Sequence, residues 1–300
     1  MTSATSVTSP AFEDRDGVVW LDGAFVPWRD ARLHVLSHGL HYGGAVFEGL
    51  RVYGGRPFRL TDHSRRLAAS ARELGYELPF DVAALDEATT EVVRRQGVGD
   101  GYVRPVAWRG SDHISVSGAG VSVHVAVAAW EWPHVFSAEA KERGIRLGTS
   151  RWRRPAPDTA PVRAKAASLY ALCTLARDAA ERDGYDDALL LDFRGRLAEA
   201  TGANLFLVID GALHTPPPDT FLDGITRRTV MDLAREAGLA VSERPMEPGE
   251  LARAEEVFLT GTAYEVQPVR AVDGREFGVG KVTRALAEAY ARRVREAPPS

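Results

Sequence analysis

The chain is poor in the residues from which covalent and metal frameworks are built. It has one cysteine, Cys173, in 300 residues. No disulfide can form within it, so a reducing compartment, the cytoplasm, is the expected setting. Cys173 falls in a helical run and reads as a core filler rather than a nucleophile. Lysine is also scarce, with only Lys141, Lys165 and Lys281 present. There is no large basic block and the formal net charge is −4, which argues against nucleic acid as a partner. Long hydrophobic runs are missing. The longest, Val121–Trp130, is interrupted by Ser122 and His124 and is far too short to span a bilayer. The opening MTSATSVTSP lacks the basic region and apolar core of a secretory signal. Asp112-His113 offers two side chains to a metal, which is too few, and no HExxH motif or cysteine cluster accompanies it. Gly278–Thr283 (GVGKVT) resembles a P-loop, but Val282 stands where a Ser or Thr is required. No internal repeat is visible.

What remains is the composition of an ordinary globular protein, 45% hydrophobic and 26% charged, long enough for one large domain or two. Three dipeptides, Asp22-Gly23, Gly54-Gly55 and Asp210-Gly211, sit between short apolar runs and predict hairpins. Thr61 is the expected cap of a helix carrying Leu67, Ala71 and Leu74, and a second helix is expected over residues 82–95. GYVRP and residues 121–132 alternate like antiparallel strands. Between them Arg109–Gly120 is a polar, glycine-rich loop suited to a lid. Residues 1–14 read as a disordered tail, 15–136 as a small N-terminal domain, 137–143 as a linker and 144–300 as a larger C-terminal domain. Residues 151–161 form a proline-rich loop before Lys165. The predicted class is α+β, with two α/β domains and the site between them. Hairpins mixed with helices argue against a repeating βαβ unit.

The stretch Lys165–Phe206 carries the chemistry. Apolar residues at Leu169, Leu172, Leu175, Ala176 and Ala179 have helical spacing beginning at Lys165 and closed by Gly184. Asp187–Asp192 reads as a buried strand, followed by a turn, Glu199 and the strand Asn204–Ile209. A lysine, a tyrosine five residues on and a carboxylate on a tight strand connection are the groups that pyridoxal phosphate chemistry uses. Spacing alone leaves open a solvated lysine and an exposed turn glutamate. Asp223-Gly224-Ile225-Thr226 opens a helix, and FLTGT at 258–262 ends a strand in a glycine turn. Each such turn presents N–H groups to an anion, or is ordinary capping.

Taken together, LHYGGAVFEGLRVY, GYVRP, KAASLY, GYDDALLLD, EATGANLF, LDGITR and FLTGTAYEVQPV resemble the ordered motifs of the branched-chain amino acid aminotransferases. These are class IV aminotransferases, pyridoxal phosphate enzymes of fold type IV. The similarity covers about residues 17–292. It implies pyridoxal 5′-phosphate as cofactor and the transfer of an amino group between a branched-chain or aliphatic L-amino acid and 2-oxoglutarate or another keto acid. Lys165 would carry the cofactor and act as general acid–base. Glu199 would face the pyridine nitrogen and Tyr170 the ring's phenolic oxygen. Arg66, Gly224, Ile225, Thr226 and Thr262 would hold the phosphate. Tyr102, with the backbone at Thr262 and Ala263, would take the α-carboxylate, and Arg104 the side-chain carboxylate of the acceptor. Tyr42 and Phe47 would be walls of the substrate pocket. The family's dicarboxylate site pairs its arginine with two tyrosines. One matches Tyr42, and Val135 takes the other's place, while Arg109, Asp112 and His113 are expected near the mouth. A neighbouring subunit completes the pocket in this family, so a homodimer or higher homo-oligomer is expected, with Trp28, Trp132 and Trp152 as interface aromatics. Three other readings keep the same cofactor: a D-amino acid or (R)-amine transaminase, an aminodeoxychorismate lyase-like enzyme, and a non-enzymatic relative that only binds it.

Overall fold

The structure, a computed structural model, describes residues 11–132 and 136–296. Its helices and strands build two sheets, each with its own core.

The first sheet is antiparallel. Its strands run in the order Ala24–Pro27, Val18–Leu21, Val123–Glu131, Gly101–Arg109, Leu50–Tyr53, Arg56–Pro57, with Ala45–Phe47 also paired to Gly101–Arg109. The Asp22-Gly23 hairpin forms with both residues at positive φ, the two-residue turn that matches strand twist. Helices Leu60–Glu73 and Val82–Arg95 cover one face through Leu67, Leu85, Val92, Trp20 and Val103. The second of these has the expected bounds and is capped by Asp81. Thr61 does not cap the first. Arg59 holds the cap position, and the Thr61 hydroxyl donates to Asp86 instead, at 2.5 Å. The opposite face of the sheet, around Val19, Trp28, Val106, Trp108 and Ala126, has a small apolar cluster of its own, and no long helix among the described residues packs on it.

The second sheet curls on itself. Strand Leu197–Ala200 pairs with Asp187–Asp192 on one side and Asn204–Ile209 on the other. Ile145–Arg154, Glu265–Val272 and Glu256–Gly261 complete a ring of six. Ile145, Leu147, Leu189, Leu205, Leu259 and Val269 fill it. Closing the ring removes the exposed edges that an open sheet leaves. Outside it, Ala167–Arg182 packs on one side through Cys173, Ala176 and Ala180. Ile225–Glu236 and Lys281–Arg293 pack on another against Phe206 and Phe258.

Several local expectations change. Lys165 is not in the helix. It sits two residues before Ala167–Arg182 in an extended segment, where Ala166 bridges Val46 of the first sheet. Residues 151–154 end the long strand Ile145–Arg154 rather than opening a loop. The expected linker 137–143 carries a short helix, Ala138–Arg143, capped by Ser137. The tail expectation falls mostly on residues 1–10, outside the described residues. At its end Phe12–Asp14 forms a 3₁₀ turn, and the Trp28 indole donates to the Phe12 carbonyl at 2.5 Å. No helix among the described residues is long and apolar enough to cross a membrane.

Candidate active site

A cavity opens between the two sheets, and both contribute to it. From the first come Phe47, Gly49, Arg66, Tyr102, Arg104 and Trp132. From the second come Arg154, Lys165, Tyr170, Glu199, Asn204, Gly224, Ile225, Thr226, Thr262 and Ala263.

Lys165 is fixed by its backbone. Its N–H donates to Ser70 Oγ at 2.9 Å, and its carbonyl accepts from the Phe47 N–H at 3.1 Å. The side chain lies over the Phe47 ring, with Nζ 2.7 Å from the Tyr170 hydroxyl. Tyr170 stands on the first turn of the following helix, so the five-residue spacing in KAASLY turns the phenol back onto the amine.

Glu199 reaches the cavity because its strand is bulged. The pairing of Leu197–Ala200 with Asp187–Asp192 shifts register between Leu197 and Glu199. A slip of one residue changes the face a side chain points to. Leu197 therefore joins the ring's core while Glu199 lines the cavity. Its carboxylate accepts from Asn204 Nδ2 at 3.3 Å and lies 3.3 Å from Arg154 Nε. Burial pushes its pKa up to about 7, against the pull of Arg154 and Lys165. Asn204 also donates to the Leu222 carbonyl at 3.1 Å. Gly224 is what permits this approach, since a Cβ there would stand 2.1 Å from Asn204 Oδ1.

At the other end is an anion cradle. The helix Ile225–Glu236 starts at Gly224 with no side-chain cap, so its first N–H groups are left for a ligand. Arg66 lies against this turn through a 3.0 Å bond to the Asp223 carbonyl. It is held from behind by Glu48, which accepts from Arg66 Nε at 2.7 Å and Nη2 at 2.9 Å, and sits 2.6 Å from His63 Nδ1. Glu48 is fully buried. Burial alone would raise its pKa, but Arg66 and His63 hold it well below the usual carboxylate range. Burial in turn pushes His63 down, against the pull of Glu48.

The third wall is aromatic. Tyr102 packs edge-on to Trp132 with centroids 4.6 Å apart, and its hydroxyl overlies Gly49, where a Cβ would stand 1.8 Å away. Arg104 lies 4.6 Å over the Phe47 ring, and its buried Nε has no hydrogen-bond partner among the described residues. The turn Thr262–Ala263 faces this wall.

Of the residues expected to bind cofactor, α-carboxylate or acceptor carboxylate or to wall the pocket, the structure brings all those it describes together here but one. Tyr42 is the exception. It is 42% exposed on the short helix His38–Tyr42, beside His38, and does not line this chain's cavity. Nor do Arg109, Asp112 and His113 reach it. Arg109 is tied to the carbonyls of Leu74 and Gly75, and Asp112 to Ser122. Val135 lies outside the described residues. Of the three expected interface aromatics, Trp28 is nearly buried, Trp132 lines the cavity and Trp152 is partly exposed. Sequence reasoning did not single out Glu48, Arg154 or Asn204. Glu48 and Asn204 lie inside motifs already noted, but nothing there marks them as the buried partners of Arg66 and Glu199.

The family model for class IV amino-transferases matches residues 45–272. The chain belongs to that family and is an aminotransferase. It is similar to the branched-chain-amino-acid aminotransferase of Pseudomonas aeruginosa, at 42% identity over 92% of each chain. The enzyme of that name from Escherichia coli K12 is 40% identical over 91% of each. Among solved structures, a T.th. branched-chain amino acid aminotransferase with pyridoxamine 5′-phosphate superposes with TM-score 0.90 at 42% identity, covering 93% of this chain and 94% of that one. The Escherichia coli structure also gives 0.90, at 39% identity and 93% and 95% coverage.

The cofactor of this class is pyridoxal 5′-phosphate, and the residues present fit it. The uncapped helix start and Arg66 suit a phosphate. A buried carboxyl lining the cavity beside Arg154 suits a ring nitrogen. An amine beside a phenol suits the aldehyde end.

Proposed function

We propose that the chain moves an amino group between a branched-chain or other aliphatic L-amino acid and 2-oxoglutarate, as a step in branched-chain amino acid metabolism. The observation that carries this reading is a guanidinium, Arg104, set in the aromatic wall of the cavity, with a buried Nε that has no hydrogen-bond partner among the described residues. Such a wall suits an aliphatic side chain, and the guanidinium suits the carboxylate of the acceptor at the same place. The names of the relatives point the same way.

When bound, pyridoxal phosphate supplies the aldehyde that takes up the amino group and a ring that spreads the electrons released at Cα. The rest falls to the chain. Lys165 Nζ, once freed from the cofactor, would move the proton between substrate Cα and the cofactor carbon that carried the aldehyde, as general base and then acid. Tyr170 orients that amine through their 2.7 Å bond. Glu199, positioned by Asn204 and Arg154, would keep the cofactor's ring nitrogen protonated. Arg66 and the N–H groups at Ile225 and Thr226, with Thr262, hold the phosphate. The Tyr102 hydroxyl and the N–H groups of Thr262 and Ala263 hold the α-carboxylate. Arg104 selects the second carboxylate of the acceptor.

The functional form we propose is a homodimer in the cytoplasm. The bare face of the first sheet borders a groove lined by Val19, Leu21, Trp28, Trp108 and Ala126, with Leu33 and Leu40 exposed at its rim. Such a face favours a partner surface, and a second copy would let the exposed Tyr42 serve a cavity other than its own. A fully active monomer in light scattering would contradict this, and cell fractionation checks the compartment.

The function is tested by steady-state kinetics with L-leucine, L-valine, D-leucine and simple amines as donors. Turnover of the L-amino acids with 2-oxoglutarate is expected. Preference for D-leucine or an amine would replace the reading with another of the same fold.

A further inference from the structure

The turn Thr262–Ala263–Tyr264 joins the strands Glu256–Gly261 and Glu265–Val272, with Gly261 opposite Glu265. It is pinned from two sides. Behind it, the Tyr264 hydroxyl donates to Asp187 Oδ2 at 2.5 Å and accepts from Arg177 at 2.9 Å, while Thr201 donates to Asp187 Oδ1 at 2.5 Å. All of these belong to the second sheet and its helix. Ahead of it, Glu265 reaches the other half of the molecule. Its Oε1 accepts from the Tyr53 hydroxyl at 2.8 Å, and its Oε2 from Lys141 Nζ at 2.5 Å. Tyr53 is buried on strand Leu50–Tyr53 of the first sheet, and Lys141 stands on the short helix between the two sheets. Glu265 holds φ +57, a left-handed conformation that favours glycine. A glutamate kept there is explained by what its side chain grips.

We propose that Glu265 is a positioning residue for the substrate α-carboxylate. Through Tyr53 it ties the turn to the first sheet, and so sets the N–H groups of Thr262 and Ala263 at a fixed place opposite Tyr102 and Arg104. The inference rests on the reading that these N–H groups take the α-carboxylate. Its consequence is specific. Amino donor and keto acceptor differ in their side chains but share that carboxylate, so loosening the turn weakens both alike. A hydrogen bond lost across the halves misplaces two donors, and about half an ångström is enough to spoil a binding constellation. Burial and Glu265 both push the Tyr53 phenol above its ordinary range, so it remains a neutral donor at every working pH.

The test uses the holoenzyme and three variants: Tyr53→Phe, Glu265→Gly and Glu265→Gln. Glycine accepts the left-handed backbone, so Glu265→Gly removes the side chain's grip without adding strain. Glutamine leaves an oxygen for Tyr53 to donate to. The readouts are KM and kcat for L-leucine and for 2-oxoglutarate, melting temperature, and the dissociation constant of 4-methylpentanoate, a carboxylate with no amine to react. Tyr53→Phe and Glu265→Gly are expected to raise both KM values and the 4-methylpentanoate constant in parallel, by about tenfold, with kcat changed by less than about threefold. Glu265→Gln, which keeps the Tyr53 tie but loses the Lys141 ion pair, is expected to lie nearer wild type than Glu265→Gly. The inference is overturned if the two variants keep wild-type constants, if only one substrate's KM moves, or if melting temperature falls while carboxylate affinity does not. Wild type that turns over leucine yet shows no saturable binding of 4-methylpentanoate overturns the carboxylate reading underneath it, and the inference goes with it.

Discussion

Glu199→Gln separates two jobs of one buried carboxyl. In the cofactor-free chain the group is pushed from 4.5 up to about 7 by burial, with Arg154 and Lys165 only partly offsetting it. The folded state therefore holds the proton more tightly than the unfolded chain does. The stability this brings is complete below about pH 4.5 and is lost as pH rises through about 7. A shift of that size corresponds to about 3 kcal/mol. At about 2 °C or more per kcal/mol for a chain this long, the wild-type apoprotein should melt about 5–10 °C lower at about pH 8 than at about pH 5, beyond any drift common to both proteins. Glu199→Gln, neutral throughout, should lack that fall. With cofactor bound the order reverses. Glutamine cannot hold the ring nitrogen protonated, and removing one partner of a buried ion pair costs about 3–5 kcal/mol, so turnover should drop by about 10²-fold or more. Scanning fluorimetry of the apoproteins across the pH range, with leucine turnover of the holoproteins, reads both. Parallel melting curves, or full turnover in the variant, would refute the electrostatic account.

Glu48→Ala leaves Arg66 without its bidentate partner, and should cost about 3–5 kcal/mol of stability and weaken cofactor binding at least about tenfold, read by titrating apoprotein. Because the Glu48 carboxyl is held low, its pairing is present above about pH 4.5 and fades only as acid protonates it. Gly224→Ala places a Cβ against Asn204 Oδ1, an overpacking worth about 1–3 kcal/mol, and should lower cofactor affinity with little change in KM for leucine once saturated. Arg104→Ala should raise KM for 2-oxoglutarate about tenfold to a hundredfold, the worth of a bond to a charged group, while leaving the leucine KM within about threefold. Val135→Tyr, which puts a tyrosine where the family's motif carries one, should improve the 2-oxoglutarate specificity constant in steady-state kinetics.

The hairpins and the helix over residues 82–95 were readable because each rests on local chemistry: a positive-φ dipeptide, an Asp cap, an apolar stripe. Lys165, Tyr170 and Glu199 were readable through motif order, and their convergence followed. The position of Lys165 outside its helix was not readable, because the tie that keeps it extended comes from Val46 and Ser70, about a hundred residues away in sequence. Arg154 is one of three arginines in RWRRP, and only the pairing of its strand decides that Arg151 and Arg153 face solvent while Arg154 is buried beside Glu199. Glu48 was missed for a related reason. A buried carboxylate is visible only with its partners, and these lie on a helix 15 and 18 residues further on. Tyr42 was placed by resemblance to relatives, and a single chain leaves it outside its own cavity.

The central claim is that Lys165 is the residue which bonds the cofactor and moves the substrate proton. Borohydride reduction of the holoenzyme, followed by peptide mass spectrometry, tests it directly, since only three lysines are present. The expected result is a pyridoxyl phosphate label on Lys165, lost from the pattern when L-leucine is added before reduction. A label on Lys141 or Lys281, with Lys165 unmodified, would contradict the account.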